Sequence, residues 1–348
     1  MGAKRIVALA AMLSAITGLA HAQAPTPGIL ETYKDWTTGC DNRARCEAVS
    51  LLPEGGEWPD EPVMLGIQRD AGGRAEPEIW VSRDAKGTEE LSFFVDGRKI
   101  ATAASQDGEA LLQGPQAAAL AVAMARGMTM EVRSAGVLIA RPSLAGAAAA
   151  MRYMDARQGR AGTMAALVAT GPLSRSAVRP APPIVSVQRA PIPSGPAPVT
   201  LWREELTALG KLTGCAEEMR DASPPQLHRL SKTETLILVP CGAGAYNFSA
   251  VPVIASGIAG RRSFRFAAFD YQPGWSEDAA HPMLVNASWS PESSALESYA
   301  KGRGLGDCGS SESYVWDGTR FRLVQARAMG GCRGAWHWIT TWSATVKN

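Results

Sequence analysis

Six cysteines constrain this chain more than any other feature: Cys40, Cys46, Cys215, Cys241, Cys308 and Cys332. Cys40 and Cys46 lie in YKDWTTGCDNRARCEA, a C-x5-C spacing with no histidine nearby. Zinc sites favour close pairs such as C-x2-C, with a second pair or histidines at hand. A redox pair favours C-x-x-C, which is absent. An even number of cysteines instead favours structural disulfides. Sequential pairing, 40–46, 215–241 and 308–332, closes the shortest loops. On the chain-entropy model the small loop stabilises by about 2 kcal/mol and each larger one by about 3.5 kcal/mol.

Disulfides need an oxidising compartment, and the start of the chain supplies a route to one. Residues 1–22 read MGAKRIVALAAMLSAITGLAHA. A positive start at Lys4 and Arg5, an apolar run and a small-x-small end at Ala20-His21-Ala22 form the layout of a secretory signal peptide. The run is too short to span about 30 Å of hydrocarbon. No later stretch reaches that length, so no integral membrane segment is expected after cleavage. Removing the leader takes Lys+Arg from 35 to 33, equal to the 33 acids. A neutral chain has no general attraction for nucleic acid or anionic lipid. The expected location is periplasmic or secreted.

Residues 171–200 carry eight prolines, Pro172 to Pro198, and read as a semi-rigid linker. The expected organisation is a 1–22 signal peptide, a 25–170 domain, the 171–200 linker and a 201–348 domain. In the first half Asp96-Gly97 and Ser134-Ala135-Gly136 mark hairpin turns. GPQAAALAVAMARG suits a helix ending at Gly127. Ser143 is placed to cap a helix whose Leu144, Ala147, Met151 and Met154 share a face. AGTMAALVAT reads as further helix. In the second half a helix with Leu206 and Leu209 inward carries Cys215, and TETLILVPC is a buried strand. More strands follow, with a turn at Asp317-Gly318. The fold class is α+β, mostly antiparallel β: two β-rich domains, each with one or two packed helices, stapled by disulfides.

Catalytic signatures are scarce. G-x-S-x-G, H-E-x-x-H, glycine-rich phosphate loops and calcium-loop spacings are missing. After the leader there are three histidines, His228, His281 and His337, far apart in sequence. No catalytic residue, metal or cofactor is implied. Two groups remain as candidate ligand contacts. One is Asp155 with Arg160 in YMDARQGRAGT, where an ion pair would fix a junction between helical segments. The other is WHWITTW: on a strand, Trp336, Trp338 and Trp342 would share one face. That face can stack on a ligand or fill a core; the reading here puts Trp338 and Trp342 in the core, with His337 and Thr341 on the opposite side.

The stretches YKDWTTGCDNRARCEA, SLAGAAAAMRYMDARQGRAGTMAALVATG, LVPCGAGAYN and YVWDGTRFRLVQARAMGGCRGAWHWITTW resemble the exported proteobacterial family catalogued as domain of unknown function 1176. The first half, with its W-x-x-x-C start, is also similar to the invasion-associated locus B proteins. The resemblance implies export and transfers no functional residue. The expected function is a binding or interaction module of the cell envelope, its partner an envelope protein or a cell-wall glycan. The alternative is a hydrolase of unrecognised type acting on an envelope substrate.

Overall fold

The computed structural model describes residues 24–56, 59, 62–195, 200–221, 223–273 and 281–348. The expected signal peptide lies outside the described residues. Ten strands of the first half, from Leu30–Tyr33 to Val137–Ala140, form one antiparallel sheet. Turn chemistry sets its hairpins. Asp96 and Gly97 both take positive φ, 48° and 75°, as do Ala135 and Gly136, at 47° and 80°. Positive φ at both central positions matches the twist of the flanking strands.

Helices α1 (Gly114–Arg126) and α2 (Ala147–Arg157) cover one face of this sheet. Leu120 and Met124 of α1, with Met151 and Met154 of α2, are buried against Leu65, Ile67, Phe93 and Val132. The expected helical face is therefore the packed one, but Ser143 does not cap α2. Gly146 takes the N-cap position at φ 97°. A Cβ there would lie 1.7 Å from the Tyr33 carbonyl oxygen, so strand and helix approach too closely for a side chain. The Ser143 hydroxyl donates to Asp35 instead, at 2.6 Å.

In the second half two antiparallel sheets face each other. One contains Gln226–Arg229, Glu234–Ala243, Phe248–Ser256 and Ser263–Phe266, with Leu284–Val285 at its side. The other runs through Ser288–Ser290, Ala295–Lys301, Gly309–Trp316, Phe321–Met329 and Ile339–Ser343. Alternation along Glu234–Ala243 feeds two cores. Leu236 and Leu238 pack with Leu296, Trp316 and Leu323 between the sheets. Ile237 and Val239 pack outward with Leu209 of helix α3 (Arg203–Thr213) and with Cys215. Leu206 stays exposed, and Cys215 lies beyond α3: Gly214, at φ 77°, ends the helix first. A short α4 follows at Ala216–Asp221.

All three sequential disulfides are present, Cys40–Cys46, Cys215–Cys241 and Cys308–Cys332. The two halves are packed together. Val49 and Met64 from the ten-stranded sheet, with Leu51 just after strand Cys46–Ser50, share a buried cluster with Met329, Trp338 and Ile339. Accordingly, Trp36–Cys40 and Cys46–Ser50 are buried at every position. The Arg333 guanidinium adds a polar clamp, donating to Leu52 O and Lys34 O at 2.7 Å each and pairing with Asp35. Within the proline-rich segment Ser186–Gln188 pairs in parallel with Thr345–Lys347, whereas residues 179–184 are exposed and irregular.

Candidate functional site

The Cys40–Cys46 disulfide closes a tight loop whose conformation Asp41 fixes. Its Oδ1 accepts the N–H groups of Arg43 and Arg45 at 2.8 and 2.9 Å. Its Oδ2 accepts from the Ser343 hydroxyl at 3.1 Å. Asn42 and Ser343 bond reciprocally: the amide donates to Ser343 O at 3.0 Å and accepts from Ser343 N at 2.8 Å. From the other side Gln158 Nε2 donates to Ala44 O at 2.8 Å. The staple thus serves as a rigid bracket between the C-terminal end of helix α2 and strand Ile339–Ser343 of the second half.

This bracket forms one wall of a cavity of about 520 Å³ where the halves meet. Arg43, Arg45 and Glu47 line it from the first half, and Arg327, His337 and Thr340 from the second. Arg45 donates to Gln68 Oε1 at 2.7 Å and lies 3.8 Å from Glu47. The buried Glu47 carboxylate is 3.1 Å from His337 Nε2, and the His337 ring lies 4.5 Å from that of Trp80. Neither Arg43 nor Arg327 has an acidic partner among the described residues, and Arg43 Nε is buried without a hydrogen bond. Ser343 also lines the cavity, but its hydroxyl is engaged by Asp41 rather than His337. Among the described residues there is no group of three or more His, Cys, Asp or Glu side chains that could hold a metal ion.

Asp155 and Arg160 are both fully buried behind this wall. They do not form the expected ion pair. Asp155 uses its carboxylate for three backbone N–H groups, those of Leu167, Val168 and Ala169, at 2.9, 2.9 and 3.1 Å. This also explains why AGTMAALVAT is not helical, since the carboxylate pulls its amides into an irregular turn. Arg160 donates to Gln158 Oε1 at 2.7 Å and to the carbonyls of Asp70 and Gly72 at 2.9 and 2.6 Å. Its Nη1 has no hydrogen-bond partner among the described residues. Burial, and then the neighbouring Arg160 charge, push the Arg69 guanidinium down to about 10.

The three tryptophans of WHWITTW do not share a face. The strand begins only at Ile339, and its pairing slips between Ala326 and Arg327, which resets the alternation. Trp338 is buried in the cluster between the halves, stacked on Tyr299 at 4.8 Å. Trp342 is buried in the sandwich core. Trp336 is partly exposed and donates to Ser82 Oγ at 2.9 Å. Thr341 is buried rather than turned outward, and bonds Ala326 O at 3.3 Å.

No motif in the sequence marks Arg43, Arg45, Glu47 or Arg327. The dense charges of DNRAR inside the staple were the available signal; nothing local to Arg327 reveals its neighbours. The cavity's walls all fall between positions 41 and 343. A family model described as a protein of unknown function (DUF1176) matches residues 30–345, and so includes every one of them. The chain belongs to this family. It is also 27% identical over 337 residues to the uncharacterized protein YpfG of Escherichia coli (strain K12), spanning 89% of this chain and 91% of that protein. No solved structure matches it. The comparisons do not show the likeness of the first half to the invasion-associated locus B proteins.

Proposed function

We propose that this DUF1176 member is an exported binding module of the bacterial cell envelope, and that it takes an anionic ligand in the cavity between its halves. One observation carries the reading: guanidinium groups from both halves converge on one cavity, and Arg43 and Arg327 have no acidic partner among the described residues. Such groups bind carboxylate or phosphate without first breaking an ion pair. A volume of about 520 Å³ lies in the range of small-ligand sites. Three disulfides and the 1–22 leader support export, most simply to the periplasm. Burial of Trp338 and Trp342 removes two stacking surfaces for sugars and favours a protein or peptide partner over a cell-wall glycan. Among the described residues no helix is long and apolar enough to cross a membrane.

The test is a thermal-shift panel of anionic, neutral and cationic small ligands against the mature chain and Arg327→Ala. Anions should raise the melting temperature of the first and not of the second. Equal shifts for both proteins would refute the assignment. The hydrolase reading rests on the His337–Glu47 contact in a cavity that also holds Ser343 and Thr340. It predicts turnover of an envelope substrate that His337→Ala abolishes.

A further inference from the structure

The junction cavity does not end at the Cys40–Cys46 bracket. A second cavity, of about 560 Å³, flanks it across Ala71 and Ala181, which line both. The second is lined by Gly72, Gly73, Arg74, Arg175 and Ser176. Most acidic groups around this trench are engaged. Asp41 holds backbone amides, Glu47 meets His337, and Glu76 pairs with Arg175 at 2.7 Å. Asp70, largely exposed, is 3.9 Å from Arg45. By contrast Arg43, Arg74 and Arg327 have no acidic partner among the described residues, and they are distributed over both cavities. The loop between the cavities rests on Arg160, whose Nη2 holds the Asp70 and Gly72 carbonyls and whose fully buried Nη1 is unpartnered. Arg43, Arg74 and Arg327 therefore leave positive charge without an acidic partner along the front of the trench, among the described residues.

Resting on the reading of the cavity as an anion site, we infer that its ligand is an extended acidic peptide spanning both cavities. Two features favour a peptide over a compact anion. The site is elongated, with separate cationic groups in each part. Gln325 and Thr340 offer an amide and a hydroxyl with no side-chain hydrogen bond among the described residues, suited to the N–H and C=O groups of a main chain. Small residues, Ala71, Gly72 and Ala181, separate the two parts and leave room for an extended backbone.

Calorimetry at low salt with hexaglutamate tests this, with hexaglutamine, glutarate and tripolyphosphate as comparison ligands. Arg74 and Arg327 are exposed, so Arg74→Ala and Arg327→Ala should fold normally; equal unfolding midpoints check this. Hexaglutamate should bind at least about tenfold more tightly than hexaglutamine. Both variants should weaken hexaglutamate by about tenfold at low salt, while glutarate should respond to Arg327→Ala alone. If Arg74→Ala leaves hexaglutamate binding unchanged and Arg327→Ala does not, the extended ligand is wrong and the anion site stands. Tighter binding of tripolyphosphate with the same variant pattern would overturn the peptide class. If neither variant alters binding of any anion, the site itself falls.

Discussion

Asp155→Asn isolates the group that organises the chain after helix α2. The native carboxylate is fully buried and accepts three N–H groups, from Leu167, Val168 and Ala169. Asparagine keeps one carbonyl oxygen. With its oxygen in the Oδ2 position it keeps the bonds to Val168 and Ala169, but its NH₂ then faces the Leu167 N–H, donor against donor. Hydrogen bonds to a charged acceptor contribute about 1.5–3 kcal/mol each, and the amides they leave are buried or nearly so. Losing one of them, and the negative charge beside Arg69 and Arg160, should cost about 3–5 kcal/mol, the range found when one member of a buried charged group is removed. That is a large part of the roughly 5–15 kcal/mol typical of a folded domain. Urea unfolding of the oxidised protein gives the total, and hydrogen exchange at 167–169 gives the local effect. A loss below about 1 kcal/mol with those amides still protected would refute this account of the turn.

Trp338→Ala should destabilise by about 3–5 kcal/mol, as expected for a buried tryptophan, and urea unfolding at fixed pH measures it; a change within error would mean that the contact with Tyr299 and Met329 does not hold the halves. Subtilisin should cut first within 179–184, where the backbone is exposed and irregular. The two fragments should nevertheless co-elute on gel filtration, because Val49 and Met64 pack with Trp338 and Ile339. Burial pushes the His228 imidazole below its ordinary value, and its Nε2 is buried without a hydrogen bond among the described residues. As pH falls below about 6.5 the unfolded chain takes up a proton that the folded chain resists, so stability declines through that window. His228→Phe should flatten the decline, and an unchanged pH profile of the unfolding midpoint would contradict the assignment.

The readable parts of the sequence were those that local physics decides. Apolar alternation in TETLILVPC assigns Leu236 and Leu238 to one core and Ile237 and Val239 to another. Asp96-Gly97 announces its own turn, and the cysteine order indicates the three disulfides. Failures arose where a distant group overrides local preference. AGTMAALVAT has helical composition, yet the Asp155 carboxylate collects its amides. WHWITTW alternates in sequence, but a pairing slip opposite Ala326 and Arg327 separates Trp338 from Trp342. The cavity was the least legible. Arg43 and Arg327 become neighbours only when the first and second halves pack together, and no spacing within either segment encodes that.

Hydrogen exchange with and without a saturating acidic hexapeptide tests the central claim most directly, since it reads the whole chain at once. Binding in the trench predicts slowed exchange at 41–47, 68–75 and 325–327, on both halves together, with little change at 248–256 on the far sheet. Protection confined to one half, or centred on strand Phe248–Ser256, would contradict a ligand site at the junction.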